Sequence, residues 1–210
     1  MTLFFALTGS IGMGKSTTAQ MFRNRGIPVH DSDATVHALY SGEACAPIEA
    51  AFPGTVENGT VNRQALGRVV LADADAMKTL EAIVHPMVRD KELAFRAAAA
   101  TSKAQLAILD IPLLFETGGA DRVDGIIVVT APASVQRARV LARPGMDEDK
   151  FNAILQKQVP DDQKRARADF IIDTSMGLDH AQKAVDDIIA TVQTGDWTRQ
   201  VRSVNEDGES

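Results

Sequence analysis

The chain has 210 residues, 45% of them hydrophobic, enough to bury a substantial core in one large domain. A net charge of −6 argues against the broad basic face that DNA, RNA or anionic lipid would require. The single cysteine, Cys45, excludes an intrachain disulfide and a thiolate zinc cluster, and no uncharged apolar run approaches the roughly 20 residues that cross a bilayer. The first residues carry no basic stretch of the secretory kind, so the expectation is a cytoplasmic protein that binds neither nucleic acid nor membrane.

The apolar run 3–7 predicts a buried strand, and residues 16–25 predict a helix. Between them stands Gly9-Ser-Ile-Gly-Met-Gly14-Lys15-Ser16-Thr17, a Gly-x4-Gly-Lys-Ser loop in the strand–loop–helix context that a phosphate-binding P-loop requires. Its glycines let successive N–H groups turn towards an anion, and the following helix adds the positive end of its dipole. Lys15 suits the β- and γ-phosphates, and the Ser16 hydroxyl suits Mg2+. The loop therefore predicts a nucleoside triphosphate site.

A second strand is predicted at 27–30, followed by Asp31-Ser32-Asp33 and a helix over 34–40. Two readings of these aspartates stand side by side. One of them can orient and deprotonate an acceptor hydroxyl, or either can simply cap the helix. Residues 42–103 are mostly helical in pattern and contain no convincing strand, which marks a helical insertion holding the acceptor. Within it His85-Pro86 is expected to open a helix over 84–100, since Pro suits a first turn.

The run 106–111 predicts the next strand, with Asp110 at its end as a Walker-B-type carboxylate or a plain strand terminator. A strand at 126–130 and a helix over 133–143 follow. The stretch 137–167 is rich in Arg and Lys and lacks a strand, as a phosphate-closing lid would, with a further helix at 147–157. A short strand at 170–172, a helix at 179–193 and a polar tail over 194–210 complete the chain.

Strands alternating with helices predict an α/β fold: a P-loop kinase-like, doubly wound parallel sheet with its ligand at the carboxyl ends of the strands. Its core falls at about 1–41, 104–136 and 168–193, with the helical substrate-binding insertion at 42–103 and the helical lid at 137–167. No Asn-Lys-x-Asp of a GTP switch occurs, and the chain is short for a motor, so a small-molecule kinase fits best.

The ordered motifs Ala6-Leu-Thr-Gly-Ser-Ile-Gly-Met-Gly-Lys-Ser-Thr17, Asp31-Ser-Asp33, His85-Pro86 and Ile111-Pro-Leu-Leu-Phe-Glu116 make the chain resemble the dephospho-CoA kinases. Gln136-x-x-Arg139-x-x-x-Arg143, Gln158 and Ala168-Asp169 continue the pattern to about residue 192. The resemblance implies that ATP, with Mg2+, phosphorylates the ribose 3′-hydroxyl of 3′-dephospho-CoA to give CoA and ADP. It implies catalysis by Asp33, Lys15 and Arg139, with Asp33 as the base-like carboxylate. ATP would be held by Gly12, Met13, Gly14, Lys15, Ser16, Thr17 and Arg143, and the metal by Ser16 and Asp110. Dephospho-CoA would meet Thr8, Asp31, His85, Arg89, Leu113, Leu114 and Glu116. Another small-molecule or nucleoside monophosphate kinase is the alternative. Ser10 and Met13 depart from the family's usual loop residues, and Thr174 stands where the family often has Asn beside the adenine, which bears on base preference.

Overall fold

The computed structural model describes residues 1–198. By internal contacts it divides into two compact units, Met1–Val29 with Ser102–Ser210, and His30–Thr101. In the first unit β1 (Leu3–Thr8) runs into the glycine loop and α1 (Lys15–Asn24), and β2 (Val29–Asp31) leaves the unit after Val29.

The second unit holds α2 (Ser32–Tyr40), α3 (Cys45–Ala51), β3 (Val56–Glu57), β4 (Thr60–Val61), α4 (Arg63–Val70) and α5 (Ala74–Thr101). Leu39, Ile48, Phe52, Val61, Leu66, Val70, Leu80 and Val84 form its core, with α5 packed on α2, α3 and α4. The absence of strand expected over 42–103 is corrected by the β3–β4 hairpin, which pairs Val56 with Val61 and Glu57 with Thr60. Its signal was Asn58-Gly59, which takes φ 52° and 75°, the two positive values of the tight hairpin turn that Asn-Gly favours. The helix expected from residue 84 begins ten residues earlier. Asp73 caps it, accepting from the N–H groups of Asp75 (2.8 Å) and Ala76 (3.3 Å), so Pro86 lies inside α5 and not at its start.

The chain returns to the first unit through β5 (Leu106–Asp110), a single 3-10 turn (Gly119–Arg122) and β6 (Gly125–Thr130). There follow α6 (Ala133–Leu141), α7 (Glu148–Leu155), α8 (Asp161–Ala166), β7 (Phe170–Asp173) and α9 (Leu178–Thr194). The strand order is β2-β5-β1-β6-β7, with parallel register from β5 through β1 and β6 to β7. Every residue of β5 and β6 is buried, as near-continuous apolar runs require of a sheet covered on both faces. On one face Phe5, Leu7, Leu106, Ile108, Ile127 and Val129 pack against Ala19, Met21 and Phe22 of α1 and Ala181, Val185, Ile188 and Val192 of α9.

Residues 194–198 differ from the tail expected there. Thr194 ends α9, Gly195 caps it at φ 78°, and the Trp197 ring lies 4.7 Å from that of Phe5. Residues 199–210 of the expected tail lie outside the described residues. Phe5 also stacks on Phe170 at 6.0 Å and fills the space beside Gly125, where an added Cβ would lie 2.7 Å from the ring. Gly125→Ala should therefore overpack the sheet and cost about 1–3 kcal/mol. Denaturant unfolding of the variant against the parent checks this, with an unchanged midpoint as the contrary result.

Candidate active site

The P-loop runs from the buried end of β1 to the first turn of α1, and two of its glycines have no substitute. Gly12 takes φ 79° and Gly14 φ 92°, left-handed values that side chains rarely adopt. A Cβ on Gly12 would lie 2.5 Å from Val140 Cγ2 of α6, and one on Gly14 would lie 3.1 Å from the Thr174 hydroxyl oxygen. The loop's backbone is pinned from outside. Gln136 Nε2 donates to the Ile11 carbonyl at 2.8 Å, and the Ile11 N–H donates to Gln158 Oε1 at 3.1 Å. Met13 is buried, and its carbonyl accepts from the Thr174 hydroxyl at 2.9 Å. Ser16 and Thr17 lie exposed in the first turn of α1, where helix N–H groups lack intrahelical partners.

Lys15 Nζ forms an ion pair with Asp110 Oδ1. Leu7 and Asp110 are paired in register, so adjacent parallel strands deliver the loop lysine and the carboxylate to the same sheet edge. Asp110 is 2% exposed, which makes the lysine its electrostatic compensation.

Beyond the loop lies a cavity of about 340 Å³, a size that suits a nucleoside-sized ligand. Gly12, Gly14, Thr17, Thr18, Met21, Arg139, Arg143, Thr174, Gly177, Leu178 and Ala181 line it. Arg139, on α6, donates from Nη1 to the Thr174 hydroxyl at 2.7 Å and from Nη2 to the Thr174 carbonyl at 2.8 Å. Helix α6 ends at Leu141, so Arg143 stands just past it and not on the expected 133–143 helix, yet it reaches the same cavity. Of the residues expected around the triphosphate, Gly12, Gly14, Thr17 and Arg143 thus line this cavity, with Arg139 beside them.

The residues expected after β5 and at Thr8 behave differently. Thr8 is fully buried and its hydroxyl donates to the Pro112 carbonyl at 3.2 Å, tying β1 to the loop beyond β5. Leu113 is half exposed, but Leu114 is 0% exposed and belongs to the core, so its expected contact with substrate is corrected. Glu116 is engaged inside the protein. Its Oε1 lies 2.8 Å from Nζ of the fully buried Lys164 and accepts from the Val159 N–H at 2.9 Å. Burial pushes the Glu116 carboxyl up, but Lys164 and these N–H contacts outweigh it and hold it below its ordinary value of 4.5. Phe115 lies under the Arg167 guanidinium, 4.7 Å from the ring centre, and Thr130 donates to Asp161 at 2.7 Å. These contacts fasten α8 and its approach to the sheet edge. Lys164 was not singled out from the sequence, because its partner lies 48 residues away, and Thr174 was read there only for base preference, since its hold on Arg139 spans 35 residues.

In the second unit Asp31 is the cap of α2. Its Oδ1 accepts from the Ala34 N–H at 2.9 Å, and its carbonyl accepts from the Thr35 hydroxyl at 2.8 Å. Asp33, in the first turn of the same helix, is exposed and leaves the capping to Asp31. His85 and Arg89 are exposed one turn apart in the middle of α5.

Residues 3–180 match the family model of dephospho-CoA kinase. The chain belongs to the dephospho-CoA kinase family. It is 63% identical to the dephospho-CoA kinase of Mesorhizobium japonicum over 187 residues, 89% of this chain and 95% of that one. The dephospho-CoA kinase of Brucella melitensis is 55% identical over the same length, covering 89% and 94%. Among solved structures, TT1252 from Thermus thermophilus superposes with a TM-score of 0.77 at 35% identity, covering 90% of this chain and 97% of that one. Dephospho-CoA kinase from Campylobacter jejuni gives 0.71 at 25% identity, covering 94% and all of that chain. The family's fold is thus this chain's fold: a five-stranded parallel sheet flanked by helices. No described helix is long and apolar enough to cross a membrane.

The Glu116–Lys164 pair generates a pH dependence of stability. The carboxyl is depressed in the folded state, so its contribution is complete above its ordinary value and is lost as pH falls through the lowered one. Glu116→Gln should be less stable near pH 7 by about 3 kcal/mol, because it strands the buried lysine. Denaturant curves should show that gap narrowing below about pH 4.5, where the carboxyl of the unfolded chain takes up its proton, and closing as pH falls through the lowered folded value. A gap that stays constant down to strongly acid pH would refute the assignment.

Proposed function

We propose that this chain transfers the γ-phosphoryl group of ATP to the ribose 3′-hydroxyl of 3′-dephospho-CoA, releasing CoA and ADP. The observation that carries the reading is the convergence of Gly12, Gly14, Arg139 and Arg143 on one cavity at the start of α1. In the transfer a bond forms between the 3′-oxygen and the γ-phosphorus, and the bond to the β,γ-bridging oxygen breaks with its electrons leaving on ADP. Asp33 accepts the hydroxyl proton, as an exposed carboxylate relieved of capping can. Because the transition state is loose, charge placement supplies most of the acceleration. Lys15 and Arg139 neutralise the transferred group, and Arg143 closes on the triphosphate.

Loop N–H groups of Gly12, Gly14, Lys15, Ser16 and Thr17 cradle the phosphates, while the Met13 N–H donates to the Ser10 carbonyl at 3.2 Å and holds the turn between them. Mg2+ fits the donors present. At phosphate sites it takes one or two protein oxygens, so the Ser16 hydroxyl would ligate it and Asp110 would hold a water of its shell. Held by those residues, the ion would supply positive charge against the triphosphate. Asp31 caps the helix whose first turn presents Asp33, and His85, Arg89 and Leu113 contact the acceptor. Thr8, Leu114 and Glu116 support the segment that carries Leu113 from inside the fold.

Incubation with Mg-ATP and dephospho-CoA should yield ADP and CoA in equal amounts, measured by chromatography against a panel of other hydroxyl and phosphate acceptors. Absence of CoA, or a better acceptor in the panel, would overturn the substrate. Asp33→Asn should lower kcat by about 10²–10⁴-fold with ATP affinity nearly unchanged. Normal turnover in that variant would remove Asp33 from the chemistry.

A further inference from the structure

Thr174 follows β7 directly and holds two parts of the nucleotide site at once. Its N–H donates to the Thr130 carbonyl at 3.0 Å, which fixes its backbone to the end of β6. Its hydroxyl can donate one proton and accept others. The proton goes to the Met13 carbonyl in the P-loop at 2.9 Å, with the Thr130 carbonyl a longer second acceptor at 3.3 Å. The oxygen accepts from Arg139 Nη1 at 2.7 Å, while the Thr174 carbonyl accepts from Nη2 at 2.8 Å. Two nitrogens of one rigid guanidinium are therefore held by one residue, which sets both the direction and the rotation of the group. The same side chain sits 3.1 Å from where a Gly14 Cβ would be and lines the cavity with Arg143 and Leu178.

We infer that Thr174 is a positioning residue for phosphoryl transfer, its hydroxyl locking the Arg139 guanidinium to the P-loop backbone. The inference rests on the reading that Arg139 acts on the transferred phosphoryl. Loss of the hydroxyl leaves the Met13 carbonyl without its donor and Arg139 with a single tether, while the shape of the site is kept by an isosteric side chain. An effect of this kind falls on turnover and not on ATP affinity, because it concerns where a charge stands as the γ-phosphoryl moves.

The test is a double-mutant cycle with Thr174→Val and Arg139→Ala, scored by kcat, the KM for ATP and the thermal midpoint. Thr174→Val should lower kcat by about tenfold to a hundredfold, as loss of a charge-assisted hydrogen bond does, with KM changed by less than about threefold. Thr174→Ser, which keeps the hydroxyl, should restore kcat to within about threefold of the parent. In the Arg139→Ala background Thr174→Val should change kcat no further. An equal loss in both backgrounds, or a Thr174→Ser variant as slow as Thr174→Val, would overturn the inference. If valine prevents folding, Thr174→Ala replaces it in the same cycle. Normal turnover in Thr174→Val beside a crippled Arg139→Ala defeats this inference alone, whereas normal turnover in Arg139→Ala defeats the role of Arg139 itself.

Discussion

Around the P-loop the structure turns on how closely backbone can approach side chain, because the loop lies directly against α6 and the residue after β7. At position 12 the nearest atom to an added Cβ is a Val140 methyl at 2.5 Å, and at position 14 it is the Thr174 side chain at 3.1 Å. Bare backbone alone fits there, and the same approach brings Arg139 and Thr174 to the phosphate end of the cavity. Gln136 and Gln158 then hold the Ile11 backbone from two different segments. The loop is thus pre-shaped by the elements around it, which reduces what a bound anion must reorganise.

Charge is arranged by burial as much as by sign. The chain carries a net −6, yet Arg139 and Arg143 line one cavity beside the P-loop. Two lysines pair with carboxylates from distant segments, Lys15 with Asp110 and Lys164 with Glu116. Such pairs add modest net stability but are costly to break, since either partner left alone is a buried charge. One pair holds the loop lysine at the strand ends; the other fastens α8 to the loop beyond β5.

The second unit achieves order by other means. Its core is apolar, its hairpin rests on the two left-handed residues Asn58 and Gly59, and α5 tolerates Pro86 in its interior. A proline there removes one helical hydrogen bond. The packing of Leu80 and Val84 in the core carries the helix through it. At its entry Asp31 does the capping, which leaves the Asp33 side chain out of that role.

Residue order by itself determined the phosphate loop, the alternation of buried strands with helices, and the family to which the chain belongs. These are local signals: a glycine spacing, apolar runs of fixed period, and motifs in sequence. The short hairpin was legible in Asn58-Gly59, and the start of α5 in Asp73, although Pro86 is the stronger punctuation and points to a later start. Only the tertiary structure decided that Leu114 is core, that Glu116 is spent on Lys164, that Trp197 covers Phe5, and that Thr174 holds Arg139. The last three depend on partners 35 to 192 residues apart. A side chain's role in such cases is set by what chain closure places against it, and no local pattern encodes that neighbour.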